Sequence, residues 1–329
     1  MSIRVRLGAG TGVELLMAAA AVADPDWRAV FHHGPTSYDA VVAAGGRGLA
    51  RDMTRFGRYG WINLAGPLTA QRGAWSTDAL RGWVDAAEPD EVVRVLTGAR
   101  RRQLRSRLDD TTIAAAVAGG DRAARTRWRH TLDDTLLQVA PWLLATPPET
   151  VRATLLDVID RLPAPARATP LPRIRERLAE VGPEALLAEV APGVTYRTGV
   201  LDDVVLVTSP AVSPILVVVD EVDRTVILHP PLADGAPDDA GARLRELGRA
   251  VGDDTRIRLL HTLRLRPSTL PQLCDELASP RTTLLHHLAL LRSAGLVSIE
   301  VIDGEANVYR LRPEGFEAMA RAATAFPYS

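Results

Sequence analysis

The sequence predicts a mainly α chain with small β segments, an α+β class in three parts. These are a helical N-terminal domain over 1–190, a short antiparallel β segment over 191–232, and a compact module of helices and a hairpin over 240–329. Three observations carry this. Apolar residues recur at helical spacing from Thr11 to about Glu189, with breaks at Pro25, Pro35, Pro67, Pro89, Pro141 and Pro147-Pro148. Between Gly193 and His229 that period gives way to β-branched runs. The remaining C-terminal part carries three short leucine stripes and then two strand-like runs around Asp303-Gly304. The length, 329 residues, is about twice the ~150 of an average domain, so more than one core is expected.

At the N-terminus, Ile3 to Leu7 reads as a strand, and Thr11-Gly12-Val13-Glu14 as a capping box that opens a helix. Arg4 and Arg6 before the apolar run Leu15 to Ala23, ending Ala21-Val22-Ala23, follow the order of a secretory leader. Glu14 and the glycines Gly8, Gly10 and Gly12 interrupt that order, and with Cys274 as the single cysteine the expectation is a cytoplasmic protein. No apolar run approaches the ~20 residues needed to span a bilayer. Pro163-Ala-Pro165 and Pro170-Leu-Pro172 read as a rigid bend between amphipathic segments. Asp203 to Thr208, Ile215 to Asp220 and Arg224 to Leu228 are the strands of the small sheet, and Ala233 to Asp239 a surface hinge.

In the last module, Thr255 to Leu265 sets Ile257, Leu260 and Leu263 on one face, and a second helix buries Leu270, Leu273 and Leu277. Ser279 stands as N-cap with Pro280 at the first position of a third helix, which buries Leu284, Leu288 and Leu291 and ends at Gly295. Leu296 to Ile302 and Asn307 to Leu311 form the hairpin, and Pro313 starts a last helix with Phe316, Met319 and Ala320. This order makes a winged helix-turn-helix, whose third helix enters the major groove of double-stranded DNA.

The residues themselves resemble the ArsR family of transcriptional repressors. The resemblance runs through Gly252-Asp-Asp-Thr-Arg256-Ile-Arg-Leu-Leu260, His287-Leu-Ala-Leu-Leu291-Arg-Ser-Ala-Gly-Leu-Val297 and Tyr309-Arg-Leu311, within about Arg243 to Arg321. It implies a DNA-binding homodimer built from helices around Ala242 to Val251 and Glu314 to Thr324. The N-terminal part resembles that of extended ArsR-like regulators, which implies no activity for it.

With the leucines inward, helical geometry turns Thr282, Thr283, His286 and Ala289 to the opposite face. Arg281 can reach a guanine edge or a phosphate from the first turn, and the threonines can donate to phosphate. Arg292 and Arg310 complete the expected DNA contacts. His287 lies beside the core stripe and reads as a structural hydrogen-bonding residue, while Leu285 stands where the family carries serine. Glu300, Asp303 and Glu305 make the wing acidic, and nine arginines from Asp253 onward meet nine acidic residues. Affinity must then come from dimerisation rather than basic excess.

Other chemistries find little support. The net charge of −1 gives no whole-chain attraction for polyanions, and the absence of lysine excludes a P-loop lysine or a Schiff base. Cys274 alone cannot make a soft-metal site, and no metal or cofactor is expected. His32-His33 splay apart. Gly8-Ala-Gly10-Thr-Gly12 has the setting of a dinucleotide loop, but the third glycine of G-x-G-x-x-G falls at Val13. No catalytic constellation stands out, so an enzymatic N-terminal domain and an assembly module without DNA binding are the rival readings. Arg100 to Arg107 and Arg122 to Arg129 read as polar helix faces, with extra DNA-backbone contact or an anionic ligand as the alternative. All six tryptophans lie within the first 142 residues, where they anchor a core or line the pocket of a small-molecule effector.

Overall fold

The computed structural model describes residues 3–102, 110–117, 122–133, 140–163, 171–196, 203–232, 240–301 and 306–325. In chain order the strands are β1 (Arg4–Gly8), β2 (Val194–Tyr196), β3 (Asp203–Thr208), β4 (Val217–Asp220), β5 (Thr225–His229), β6 (Ser268–Thr269), β7 (Val297–Val301) and β8 (Val308–Leu311). The first helices are α1 (Thr11–Ala23), α2 (Pro25–Val30), α3 (Gly34–Thr54), α4 (Gly57–Asn63), α5 (Ala65–Ala70) and α6 (Thr77–Ala86). There follow α7 (Pro89–Leu96), α8 (Asp110–Val117), α9 (Arg122–Asp133), α10 (Pro141–Ala145), α11 (Pro148–Arg161) and α12 (Pro172–Val190). The last are α13 (Ala240–Val251), α14 (Asp254–Leu265), α15 (Leu270–Leu277), α16 (Arg281–Ser293) and α17 (Pro313–Ala325). The chain is thus mainly helical with small sheets. It divides into two units, Met1–Pro172 with Asp202–Ser213 and Val217–Pro230, and Arg173–Leu201 with Pro214–Leu216 and Pro231–Ser329.

The first unit is built around α1. A helix apolar on every side is stable only when surrounded, and Val13, Leu16, Met17, Ala19 and Ala20 are fully buried. It packs against α3, α4 and α6. Each buried Leu, Val or Met contributes about 1.5–3 kcal/mol, so this one segment is a large share of the core energy. The run that resembles a leader is therefore the centre of a packed unit. Trp61 and Trp128 are also fully buried, and Trp61 Nε1 donates to the Met53 carbonyl at 3.0 Å.

The sheet of this unit has the order β1-β3-β5-β4, with β1, β3 and β5 parallel and β4 antiparallel to β5. The single antiparallel sheet expected over 191–232 is thus replaced by two destinations. Its runs β3 and β5 recruit β1 from the N-terminus in parallel, because Val204 to Val207 and Val226 to Leu228 are continuous buried runs that need cover on both faces. Thr208 and His229 end these strands, where the Thr208 hydroxyl lies 3.2 Å from His229 Nε2 and His229 Nδ1 donates to the Pro230 carbonyl at 2.7 Å. Burial pushes the His229 pKa down to about 4.

The glycines after β1 serve close approach of the chain to itself. A Cβ on Gly8 would stand 1.9 Å from the Trp75 ring, and one on Gly10 would stand 2.0 Å from the Trp75 carbonyl oxygen. The Gly12 N–H donates to that same carbonyl at 3.0 Å. The dinucleotide-loop setting is thus filled by Trp75. The expected capping box is also absent: the Thr11 hydroxyl accepts from the Thr77 N–H at 3.2 Å, and Glu14 accepts from Ser209 Oγ at 2.8 Å. Gly10 is the N-cap of α1, with no side-chain cap.

The arginines of 100–102 hold the first unit together instead of forming a free polar face. Arg101, 8% exposed, donates to Asn63 Oδ1 and to the Val218 carbonyl, both at 2.8 Å. Arg102 donates to the Glu221 carbonyl at 3.2 Å, and Arg100 lies 3.6 Å from Glu91. Arg105 and Arg107 lie outside the described residues, as do the hinge expected over Ala233 to Asp239 and most of the expected proline-rich bend.

The second unit contains α12, kinked at Gly182 (φ +80°) before Pro183, and a sheet of order β2-β7-β8-β6. The β2 strand joins the hairpin by running parallel to β7, with Val194 opposite Ile299 and Tyr196 opposite Val301. The core is the leucine set Leu259, Leu260, Leu263, Leu270, Leu273, Leu277, Leu284, Leu288 and Leu291, closed by Leu296, Val297 and Tyr309. One core expectation is corrected. Ile257 is 48% exposed, because α14 begins at Asp254 under an Asp253 cap and turns Leu259, Leu260, Thr262 and Leu263 inward.

Candidate nucleic-acid interface

The site is assembled on α15 and α16. Thr269 caps α15 through a capping box, its own N–H donating to Gln272 Oε1 at 2.8 Å. The helix closes at Ala278, which adopts a left-handed conformation (φ 49°). That sharp closure turns the chain within Ser279-Pro280 into α16. The expected cap shifts by one residue. Pro280 is the N-cap, and the Ser279 hydroxyl turns back to donate to the Leu277 carbonyl at 3.1 Å. Pro280 offers no side-chain cap, so the first turn of α16 starts without an acceptor from its N-cap residue.

On α16, Leu284, Leu288 and Leu291 are buried at 0–2% exposure and fix the rotation of the helix. Thr283 is exposed and His286 half-buried on the side of the helix turned away from the leucine stripe, whereas Arg281, half-buried in the first turn, has a buried Nε and acts on Cys274 of α15. Thr282 belongs to the same first turn, with its side chain outside the described residues. Leu285 and Ala289 are half-buried. The His286 ring meets His287 edge-on, with centroids 5.5 Å apart.

His287 anchors the helix. It is 9% exposed, and Arg256 Nη1 stands 3.2 Å from its Nδ1, with Asp253 Oδ1 at 3.7 Å. Burial lowers its pKa against the pull of Asp253, which favours the neutral ring, and in the tautomer protonated at Nε2 the Nδ1 accepts from Arg256. The same guanidinium donates to the Arg249 and Ala250 carbonyls, both at 2.7 Å, at the end of α13. Arg256 is the residue that sequence reasoning missed. Its only signal was its place within a family-like run.

The other two expected contacts stand elsewhere. Arg292, at the far end of α16, donates to the Leu216 carbonyl at 3.3 Å. Arg310, on β8, is paired with Glu300 on β7 at 3.0 Å. This pair offsets charge within the hairpin, while Asp303 and Glu305 lie outside the described residues. Cys274 on α15 is half-buried, and burial raises its pKa. Among the described residues no three His, Cys, Asp or Glu side chains gather into a metal-holding group, and no helix is long and apolar enough to cross a membrane.

A helix-turn-helix domain family matches residues 251–300, which spans α14 to most of β7. The HTH-type transcriptional regulator KmtR of Mycobacterium tuberculosis is 35% identical over 81 residues, 25% of this chain and 62% of that protein. The match thus spans less than two thirds of that relative. The HTH-type transcriptional regulator MJ1325 of Methanocaldococcus jannaschii is 37% identical over 65 residues, 20% of this chain and 72% of that protein. No solved structure matches. With its helices, capped turn and hairpin in this order, the chain belongs to the winged helix-turn-helix transcriptional regulators.

Proposed function

We propose that this protein is a DNA-binding transcriptional regulator that acts as a homodimer and represses, with α16 in the major groove. The observation that supports it most is α16 itself. A buried leucine stripe and the His287 anchor fix its rotation, while Thr283 and His286 stand on the other face and Arg281 belongs to the first turn, whose N-cap Pro280 offers no side-chain cap. A module with equal numbers of arginines and acids gains little from general attraction to phosphate. Two copies are therefore needed, and α13 and α17, which pack on each other, supply the dimer surface of this reading. The first unit serves as the sensor. A small molecule that binds it better in the DNA-incompetent geometry shifts the population and releases the operator.

The test is fluorescence anisotropy of the full chain on the DNA upstream of its own gene, against scrambled DNA, across a salt series. Specific, saturable binding supports the reading. The Arg310–Glu300 pair favours one rival, an assembly module that uses the winged fold without DNA. Loss of all DNA affinity at low salt would select that rival.

A further inference from the structure

Among the described residues the first unit holds two buried carboxylates, and the chain treats them differently. Glu221, 3% exposed, has Arg224 at 3.6 Å and Arg100 at 3.9 Å. Glu14, 7% exposed, accepts from Ser209 Oγ at 2.8 Å through Oε2, and the Ala211 backbone N–H also donates to this carboxylate. Its other oxygen, Oε1, is buried with no hydrogen-bond partner among the described residues. A buried acceptor left unmatched is costly, and a group retained at that cost calls for an explanation.

Glu14 stands in the wall of a cleft of about 360 Å³, open to solvent on one side. The rest of the wall is apolar, made chiefly by Leu15, Ala18, Val41, Leu162 and Pro210. Among the described residues no tryptophan lines it: Trp61, Trp75 and Trp128 are buried in the core, and Trp27, Trp83 and Trp142 are half-buried elsewhere. No arginine among the described residues lines it either, in a chain where every basic side chain other than histidine is arginine. Among the described residues the only other titratable lining side chain is His33 at the start of α3. Ser37 on α3 and the Ser209 hydroxyl beyond Glu14 are the neutral polar neighbours.

We propose that this cleft binds a small organic cation, a protonated amine on an apolar body, with the ammonium on Glu14 and the body along Leu15, Ala18, Val41 and Leu162. Both protein groups that bond Glu14 are donors, so the carboxylate is held as an acceptor and the missing partner is a third donor carrying positive charge. The lining supplies everything such a ligand needs except that charge. Burial pushes the Glu14 pKa up to about 7, and a bound ammonium pulls it back down, which couples amine binding to proton release. This names the ligand class for the sensor reading above and rests on that reading only for its consequence at the DNA.

The experiment is isothermal titration of the full chain at pH 8 with 4-phenylbutylamine, 4-phenylbutanol and 4-phenylbutyrate, which share a body and differ in charge. The amine binds at least tenfold more tightly than the alcohol, and the butyrate most weakly. Glu14→Gln removes the preference for the amine, and Ala40→Trp, at the exposed rim of the cleft, weakens all three. Below pH 7 the affinity for the amine falls by about tenfold per unit in the wild type and stays level in Glu14→Gln. Should Glu14→Gln fail to fold, the pH profile and Ala40→Trp decide. Equal or tighter binding of the alcohol or the butyrate, amine binding indifferent to Glu14→Gln, or no heat from the amine at millimolar concentration overturns the proposal. Repeating the DNA anisotropy with 4-phenylbutylamine separates the two readings. Amine bound with operator affinity unchanged leaves this site and removes the sensor role. An operator affinity that responds to another ligand, with the amine unbound, does the reverse.

Discussion

Arg256 Nη1 lies 3.2 Å from His287 Nδ1, and this contact ties the first turn of α14 to the middle of α16. With the Arg249 and Ala250 carbonyls on the same guanidinium, one side chain joins α13, α14 and α16. Arg256→Ala therefore destabilises the second unit by about 1–3 kcal/mol, the range for losing hydrogen bonds to a charged group. Arg256→Lys restores little, because one ammonium cannot span three acceptors held by a planar fork. Thermal unfolding followed by circular dichroism checks this, and an unchanged transition in both variants would contradict the clamp.

Arg281→Ala and His286→Ala are expected to weaken specific DNA binding by about 1–3 kcal/mol each without changing the unfolding transition. Arg310→Ala is expected to cost less, since its charge is already shared with Glu300. Anisotropy on the upstream DNA ranks the three. A ranking with Arg310 first moves the main contact from α16 to the hairpin.

Gly193 sits at φ +73°, and a Cβ there would stand 2.9 Å from the Val297 carbonyl oxygen. Its own carbonyl accepts from the Ile299 N–H at 2.7 Å, so it seats β2 on the hairpin. Gly193→Ala costs about 1–2 kcal/mol through the left-handed backbone alone and loosens that seat. Hydrogen exchange at the Ile299 amide should quicken, and protection equal to wild type would show that β2 is held by other means.

Two buried groups of the first unit, Glu14 and His229, shift in opposite senses, and Glu221, also raised by burial, adds in the sense of Glu14. Glu14, raised from 4.5 to about 7, holds a proton in the folded chain that the unfolded chain gives up earlier. Its contribution is full below pH 4.5 and is lost as the pH rises through 7. His229, lowered from 6.5 to about 4, contributes above pH 6.5 and loses that contribution as the pH falls through 4. The two windows overlap, and each is worth roughly 3 kcal/mol, so they nearly cancel. From pH 6.5 to 5, Tm relative to wild type should fall on acidification in Glu14→Gln and rise on acidification in His229→Gln. Parallel profiles in all three proteins would show that neither group governs the slope.

The second unit was legible because its signals are local. The leucine stripes, Ser279-Pro280 and Gly295 each act within a few residues, and the structure follows them to within a residue or two. The first unit was less so, because its decisive contacts join distant segments. Glu14 meets Ser209 and β1 pairs with β3, each nearly two hundred positions away, and nothing in either local pattern announces the other. Thr11 and Glu14 matched a capping box by spacing, yet long-range partners claim both. At the DNA face the leucine period fixed which way α16 turns, while the Arg310–Glu300 pairing depends on hairpin register, which spacing alone does not specify.

The central claim is that two copies of α16 read DNA side by side. Hydroxyl-radical footprinting of the full chain on its own upstream DNA tests this most directly. Two protected patches on one face of the duplex, centred about 10 base pairs apart, are predicted. A single patch or uniform protection at saturating protein would contradict it.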